Sequence, residues 1–233
     1  MSASMDSPPR ESSQRLLIDE RLEAELVGES LPTPWIAVLT HPHPRFGGSM
    51  DNNVIFALLA SLRRLQIATL RFNFSGVGRS TGSASWTGSQ ERDDVRAALR
   101  YALSVKPKVL LIGYSFGAAV GLSVASEFNL EAVVAIAYPK GFFSSLLLSS
   151  LYVDPGSAPK LFLLGDSDNF TSERTLRRFV EDSVSEPKEL HVFQGSGIDH
   201  FFAGHEHLVT RKIKEFLLRL GIGQATQPPQ RYS

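Results

Sequence analysis

The 233-residue chain contains no cysteine. That absence removes a disulfide framework, thiolate zinc and iron–sulfur sites, c-type haem attachment and any thiol nucleophile. Chemistry performed here has to use oxygen, nitrogen or a carboxylate-bound metal. Net charge is also lacking: 24 Lys+Arg balance 24 Asp+Glu. No long-range field gathers a polyanion, so nucleic acid is not an expected partner. Long apolar runs are missing too. Stretches such as Val109-Leu110-Leu111-Ile112 break off at glycine or polar residues, well short of the roughly 20 residues a membrane span needs. The first fourteen residues are polar, carry Pro8-Pro9 and contain no apolar segment of the signal-peptide kind. The expectation is a soluble, cytoplasmic protein.

What is present is ordinary for a globular domain: 42% apolar and 21% charged residues. Polar, proline-containing ends at 1–14 and 222–233 are expected to be disordered tails around a single domain over 15–221. Within it, Leu16–Asp19 and Leu22–Val27 predict a leading hairpin. Short aliphatic strands are predicted at Trp35–Thr40, Ile67–Phe72, Val109–Ile112, Ala132–Ala137, Lys160–Leu164 and Glu189–Phe193. Segments of helical period fall between and after them at Asn53–Leu65, Asp93–Leu103, Gly117–Ala125, Ser172–Val180 and Glu206–Leu218. Alternation of this kind predicts an α/β fold, a doubly wound, mostly parallel sheet with helices on both faces. Functional groups of such folds collect at the carboxyl ends of the strands.

The pattern G-x-S-x-G occurs twice, at Gly113-Tyr114-Ser115-Phe116-Gly117 and at Gly78-Arg79-Ser80-Thr81-Gly82. A nucleophile elbow needs a buried strand running in and a helix running out. Ser115 follows Val109–Ile112 and precedes Ala118-Ala119-Val120-Gly121-Leu122, whereas Ser80 lies between a glycine-punctuated loop and Ser83-Ala84-Ser85-Trp86. Ser115 is therefore the candidate nucleophile and Ser80 a loop serine. A hydroxyl needs a base, and the base needs a carboxylate to orient it. Downstream, one strand runs into Gly165-Asp166-Ser167-Asp168 and another into Asp199-His200-Phe201-Phe202. Each candidate lies just past its strand, in the order Ser115, Asp168, His200. Asp166 is the second choice of acid and Asp199 the third.

The loop after Trp35–Thr40 reads His41-Pro42-His43-Pro44-Arg45-Phe46-Gly47-Gly48. One oxyanion donor is expected from the N–H of Phe116, the residue after the nucleophile, and a second from this loop. Pro42 and Pro44 have no N–H to give. His43 is favoured, with Arg45 and Phe46 as alternatives. Phe46, Tyr114, Phe201 and Phe202 are candidate lining for an apolar acyl or aromatic pocket, against the competing fate of plain core packing. The segment Tyr138–Gly156, with Phe142-Phe143 and Leu146-Leu147-Leu148, is a candidate short cap.

His41-Pro42-His43-Pro44, Gly47-Gly48-Ser49-Met50-Asp51-Asn52-Asn53, Leu70-Arg71-Phe72-Asn73-Phe74, Gly76-Val77-Gly78-Arg79-Ser80, Gly113–Gly117 and His200-Phe201-Phe202 follow one another in this order. The string resembles the compact α/β-hydrolases grouped with dienelactone-hydrolase-like and prolyl-oligopeptidase-like hydrolases, over about residues 22 to 220. The resemblance implies an α/β-hydrolase fold with little or no lid and a Ser-Asp-His triad at Ser115, Asp168 and His200. Two departures stand out: Ser75 where a basic residue is expected, and Asn169 where an acidic one is common. Dienelactone hydrolases proper use cysteine, so that activity does not carry over.

Three other functions compete. His41-x-His43 and His205-x-His207 resemble two-ligand metal steps, but neither continues into a known ligand set. Gly76-Val77-Gly78 leads to Gly82 with the wrong spacing for a dinucleotide fingerprint. A catalytically silent scaffold serving as a binding module is the third. The expectation is a serine hydrolase of the carboxylesterase kind acting on a small-molecule ester, without cofactor or metal. Acyl thioesterase and small peptidase are the alternatives on the same triad.

Overall fold

A computed structural model describes residues 13–141, 148–152, 156–183, 185–195 and 197–223. Strands β1 (Ser13–Ile18) and β2 (Leu22–Val27) form the leading antiparallel hairpin. Six further strands follow: β3 (Trp35–Thr40), β4 (Ala68–Phe72), β5 (Lys108–Tyr114), β6 (Leu130–Ile136), β7 (Lys160–Gly165) and β8 (Lys188–Phe193). All eight join one sheet in the order β1-β2-β4-β3-β5-β6-β7-β8, parallel from β4 to β8. The helices are α1 (Asn53–Arg64), α2 (Ser89–Val105), α3 (Phe116–Ala125), α4 (Glu173–Glu181) and α5 (Glu206–Arg219).

The aliphatic strands are covered on both faces, as continuous hydrophobic composition requires. Alternate residues feed two separate cores. Val109 and Leu111 of β5, Val133 and Ala135 of β6, and Phe162 and Leu164 of β7 pack with α2, α3 and α4. Leu110, Ile112, Ala132, Val134, Leu161 and Leu163 pack with α1 and α5. Helix α1 opens on Asn52, whose side chain accepts from Val54 N–H, and α4 on Ser172, which accepts from Thr175 N–H. Each satisfies an amide that the first helical turn leaves without an intrahelical partner.

From β3 the chain steps outward to β4, then crosses back to β5 on the other side of β3. The strand order reverses there, with α1 and α3 packed on opposite faces of the sheet, and ligands of open α/β sheets bind at the carboxyl edge of such a reversal. Thr40 pairs in register with Gly113, which sets the His41 loop beside Ser115.

Several boundaries differ from the sequence expectation. Ser13 and Gln14, assigned to a tail, are the first residues of β1 and pair with Val27 and Leu26. Ile222, assigned to the opposite tail, is buried beside α5. The rest of both expected tails, at 1–12 and 224–233, lies outside the described residues, as do Phe142-Phe143 and Leu146-Leu147 of the expected cap. Leu148 and Leu151 from that segment are buried against the α2–α3 side. No helix among the described residues is long and apolar enough to cross a membrane.

Candidate active site

Strand β5 delivers Ser115 directly onto the first turn of α3. Its backbone takes φ 55° and ψ −122°, a region a non-glycine residue occupies only under constraint from its surroundings. The constraint is visible at both flanking glycines. A Cβ on Gly113 would lie 2.5 Å from Ala118 Cα, and one on Gly117 would lie 2.5 Å from His41 O. The two glycines thus let strand, helix and neighbouring loop close around the turn.

Ser115 Oγ lies 2.7 Å from His200 Nε2, and His200 Nδ1 lies 2.8 Å from Asp168 Oδ2. The Asp168 side chain is fully buried and that of His200 nearly so. The other carboxylate oxygen of Asp168 accepts from the N–H groups of Phe170 and Thr171 at 2.7 and 2.9 Å. Thr171 in turn donates its hydroxyl to Tyr138 O and accepts from Lys140 N–H, tying the acid loop to the end of β6. Tyr114 OH donates to His200 O at 2.8 Å. Burial, followed by the charges of Asp168, Asp199 and Glu206, pushes the Tyr114 phenol well above its usual range.

The two alternative carboxylates are engaged elsewhere. Asp166 Oδ1 accepts from Ile198 N–H, and Asp199 Oδ1 accepts from Phe201 N–H. Both bonds shape the loop that carries His200, and neither carboxylate makes the bond to its imidazole.

Amide accounting narrows the loop after β3. Arg45 N–H donates to His43 Nδ1, Phe46 and Gly48 N–H to His43 O, and Gly47 N–H to Pro44 O. Arg45 and Phe46, the two alternatives to His43 as donor, are therefore committed to the 3-10 turn at Pro44–Phe46. Neither His43 N–H nor Phe116 N–H is among the backbone donors bonded within the described residues. The His43 and Phe116 rings sit 4.3 Å apart, so the loop after β3 packs directly against the residue that follows Ser115.

The two histidines of the loop have separate duties. His41 is buried, with Nδ1 donating to Pro42 O and Nε2 accepting from Phe74 N–H. Burial lowers its pKa to about 4, so the ring is a neutral tie between the ends of β3 and β4. His43 is also shifted downward, first by burial and then by the Arg45 charge, against a hydrogen bond to the Trp86 backbone. Among the described residues, no cluster of three or more His, Asp or Glu side chains is placed to hold a metal ion.

Four aromatics expected to line a pocket separate into two groups. Phe46 and Phe201 are exposed at the rim, whereas Tyr114 and Phe202 are buried in the α1–α5 core. The pocket expectation for Tyr114 and Phe202 is corrected on that ground: their rings have no face left for a ligand. Two rim residues escaped the sequence reading, Trp86 beside His43 and Phe170 over His200, with ring centroids 5.7 and 4.3 Å away. Phe170 was findable, since it sits two residues past the acid in the same loop.

The motif Arg71-Phe72-Asn73-Phe74 works as scaffolding beneath this rim. Arg71 pairs with Glu25 and Asp51 and donates to Met50 O. Asn73 accepts from Met50 N–H and donates to Glu23. Ser80, the serine of the second G-x-S-x-G, donates to Asn73 O and accepts from Glu23 N–H. It is a buried bridge on the β2 side.

A family model described as the alpha/beta hydrolase family matches residues 37–205. An uncharacterized protein of Rickettsia prowazekii is 27% identical over 206 residues, covering 86% of this chain and 85% of its own. Among solved structures, an alpha-beta serine hydrolase homologue from Coxiella burnetii is 29% identical, with a TM-score of 0.74, covering 88% of this chain and 96% of its own. A Xanthomonas campestris protein described as an a/b serine hydrolase without lid is 27% identical, also with a TM-score of 0.74, over 91% of this chain and 96% of its own.

Proposed function

This chain belongs to the alpha/beta hydrolase family, and on that footing we propose that it is a serine hydrolase cleaving small carboxylic esters through an acyl-enzyme. The observation that carries the reading is the continuous line Ser115 Oγ–His200 Nε2, His200 Nδ1–Asp168 Oδ2, at 2.7 and 2.8 Å. In the first step Ser115 Oγ bonds to the ester carbonyl carbon while His200 Nε2 takes the hydroxyl proton. Asp168 holds the ring in the tautomer whose Nε2 can accept, and stabilises the imidazolium that forms. The N–H groups of Phe116 and His43 bind the developing oxyanion. His200 then passes the proton to the departing alkoxy oxygen as the ester C–O bond breaks. Water, deprotonated by the same imidazole, releases the carboxylic acid and restores Ser115.

The relatives support the hydrolase class and a site open to solvent. The ester preference is inferred from the chemistry of the site: an apolar rim, on a chain whose 24 Lys+Arg balance 24 Asp+Glu, suits a neutral substrate with an activated carbonyl. The test is covalent labelling with a fluorophosphonate, combined with acyl esters of graded length and matched thioester and aminoacyl amide analogues. Labelling is expected at Ser115, lost in Ser115→Ala, with esters the fastest substrates. A well-folded protein that takes no label and turns over no analogue would exclude the reading.

A further inference from the structure

Five Phe and Trp side chains are strongly exposed among the described residues: Phe46 (78%), Phe56 (59%), Trp86 (49%), Phe170 (48%) and Phe201 (59%). Four of these five touch one of two histidines. Phe46 and Trp86 flank the His43 ring at 5.4 and 5.7 Å, and Phe170 and Phe201 flank His200 at 4.3 and 5.8 Å. Single exposed apolar residues need no explanation, but exposed aromatics gathered around the candidate site mark a binding surface. Trp86 is held in place: Arg45 lies over its ring at 4.5 Å and donates to Ala84 O.

The proton path assigns a direction to each pair. His200 must deliver its proton to the alkoxy oxygen, so the alcohol part of the ester has to leave along the His200 side, past Phe170 and Phe201. The carbonyl oxygen points to the Phe116 and His43 amides. The acyl part then extends away from His200, along the His43 side, towards Phe46 and Trp86. Both surfaces are open rims of flat rings. A flexible acyl chain gains affinity by enclosure, because each ordered rotor costs entropy, whereas a rigid ring gains it by lying on another ring's face or edge.

We propose that this site takes esters with aromatic groups, and that its specificity is divided, with Phe170 and Phe201 selecting the alcohol and Phe46 and Trp86 selecting the acyl group. The inference rests on the serine-hydrolase reading above. Recognition is by ring contact at the rim. The alcohol and acyl preferences are therefore separable by substitution.

The test measures two ratios of kcat/KM on purified protein: benzyl over ethyl acetate, and the ethyl ester of phenylacetic over that of acetic acid. Each ratio is compared between variant and wild type, so the intrinsic reactivity of the esters cancels. The variants are Phe170→Leu with Phe201→Leu, and Phe46→Leu with Trp86→Leu, which keep apolar bulk and remove the rings. The first pair is expected to lower the benzyl preference about tenfold and leave the acyl ratio within about twofold. The second pair is expected to do the reverse. Ratios that stay at wild-type values, or that move together in both pairs, would overturn the proposal. So would a wild-type protein that takes a fluorophosphonate at Ser115 yet hydrolyses none of the three esters. Absence of both labelling and turnover defeats the serine-hydrolase reading first, and this inference with it.

Discussion

Thr40 and Gly117 clasp the end of β3 to the first turn of α3: Thr40 Oγ1 donates to Gly117 O at 2.9 Å. The approach is so close that a Cβ on Gly117 would stand 2.6 Å from Thr40 O and 2.5 Å from His41 O. Both obstacles are backbone carbonyls, which cannot swing aside as a side chain end can. Gly117→Ala therefore has to push the His41 loop away from the turn that carries Ser115. The expected outcome is a loss of about 2 kcal/mol or more in urea unfolding, as strain in a packed core produces. Fluorophosphonate labelling should slow at the same time, because the loop carrying the proposed His43 donor is displaced from the turn that holds Ser115 and Phe116. Wild-type labelling and stability together would show that the clasp is dispensable.

Asp168 and Asp166 are two residues apart and differ in what they touch. Asp168→Asn replaces a carboxylate bonded to His200 Nδ1 and to two backbone amides, and favours the wrong imidazole tautomer. A fall in kcat on the order of 10⁴-fold is expected. Asp166→Asn keeps an oxygen able to accept from Ile198 N–H, so kcat should change by less than about tenfold. Equal losses in a steady-state ester assay would contradict the assignment of the acid.

Thr171 gives the acid loop a second anchor. Its hydroxyl bridges Tyr138 O and Lys140 N–H while its own N–H holds Asp168. Thr171→Val keeps the shape but strands both backbone groups. The expected result is about a tenfold loss of kcat at little change in KM, with Thr171→Ser restoring most of it. A loss confined to KM would place Thr171 outside the positioning of Asp168.

The sheet and its order of elements were legible because aliphatic runs and helical periods alternate from residue 35 onward, and burial on both faces forces that composition. The proximity of Ser115, Asp168 and His200 followed from one rule, that each lies past the carboxyl end of its strand. What escaped depends on backbone geometry that composition does not encode. Ser13 and Gln14 are polar and exposed, and belong to β1 through main-chain pairing alone. Phe201 and Phe202 look equivalent in sequence, yet Phe202 takes φ 53° and turns inward, leaving one ring at the rim and one in the core. At Ser75, where a basic residue is expected, the hydroxyl instead accepts from Arg21 of the β1–β2 turn, which also pairs with Asp94.

Ser80 offers an internal control for the nucleophile. Its hydroxyl satisfies Glu23 N–H and Asn73 O in a buried setting. Ser80→Ala leaves both without that partner and should cost about 1–3 kcal/mol in unfolding free energy. The folded fraction should still take a fluorophosphonate at Ser115. Label mapped to Ser80 by peptide mass spectrometry would reverse the assignment of the two G-x-S-x-G serines.

His41 links stability to pH. In the fold its pKa falls to about 4, against 6.5 for the free side chain, chiefly because burial penalises the imidazolium and secondarily because of His43. The unfolded chain therefore binds a proton that the folded one refuses. Stability from this group is complete above about pH 6.5 and is lost as the pH drops towards 4, where the folded ring begins to accept the proton as well. The span corresponds to about 3 kcal/mol, measurable as a declining urea midpoint between those two values. In His41→Gln the amide can still accept from Phe74 N–H but cannot titrate. That variant should be less stable at neutral pH, from imperfect packing, and should lose less of its remaining stability on acidification. An acid slope equal to that of the wild type would assign the effect to other groups.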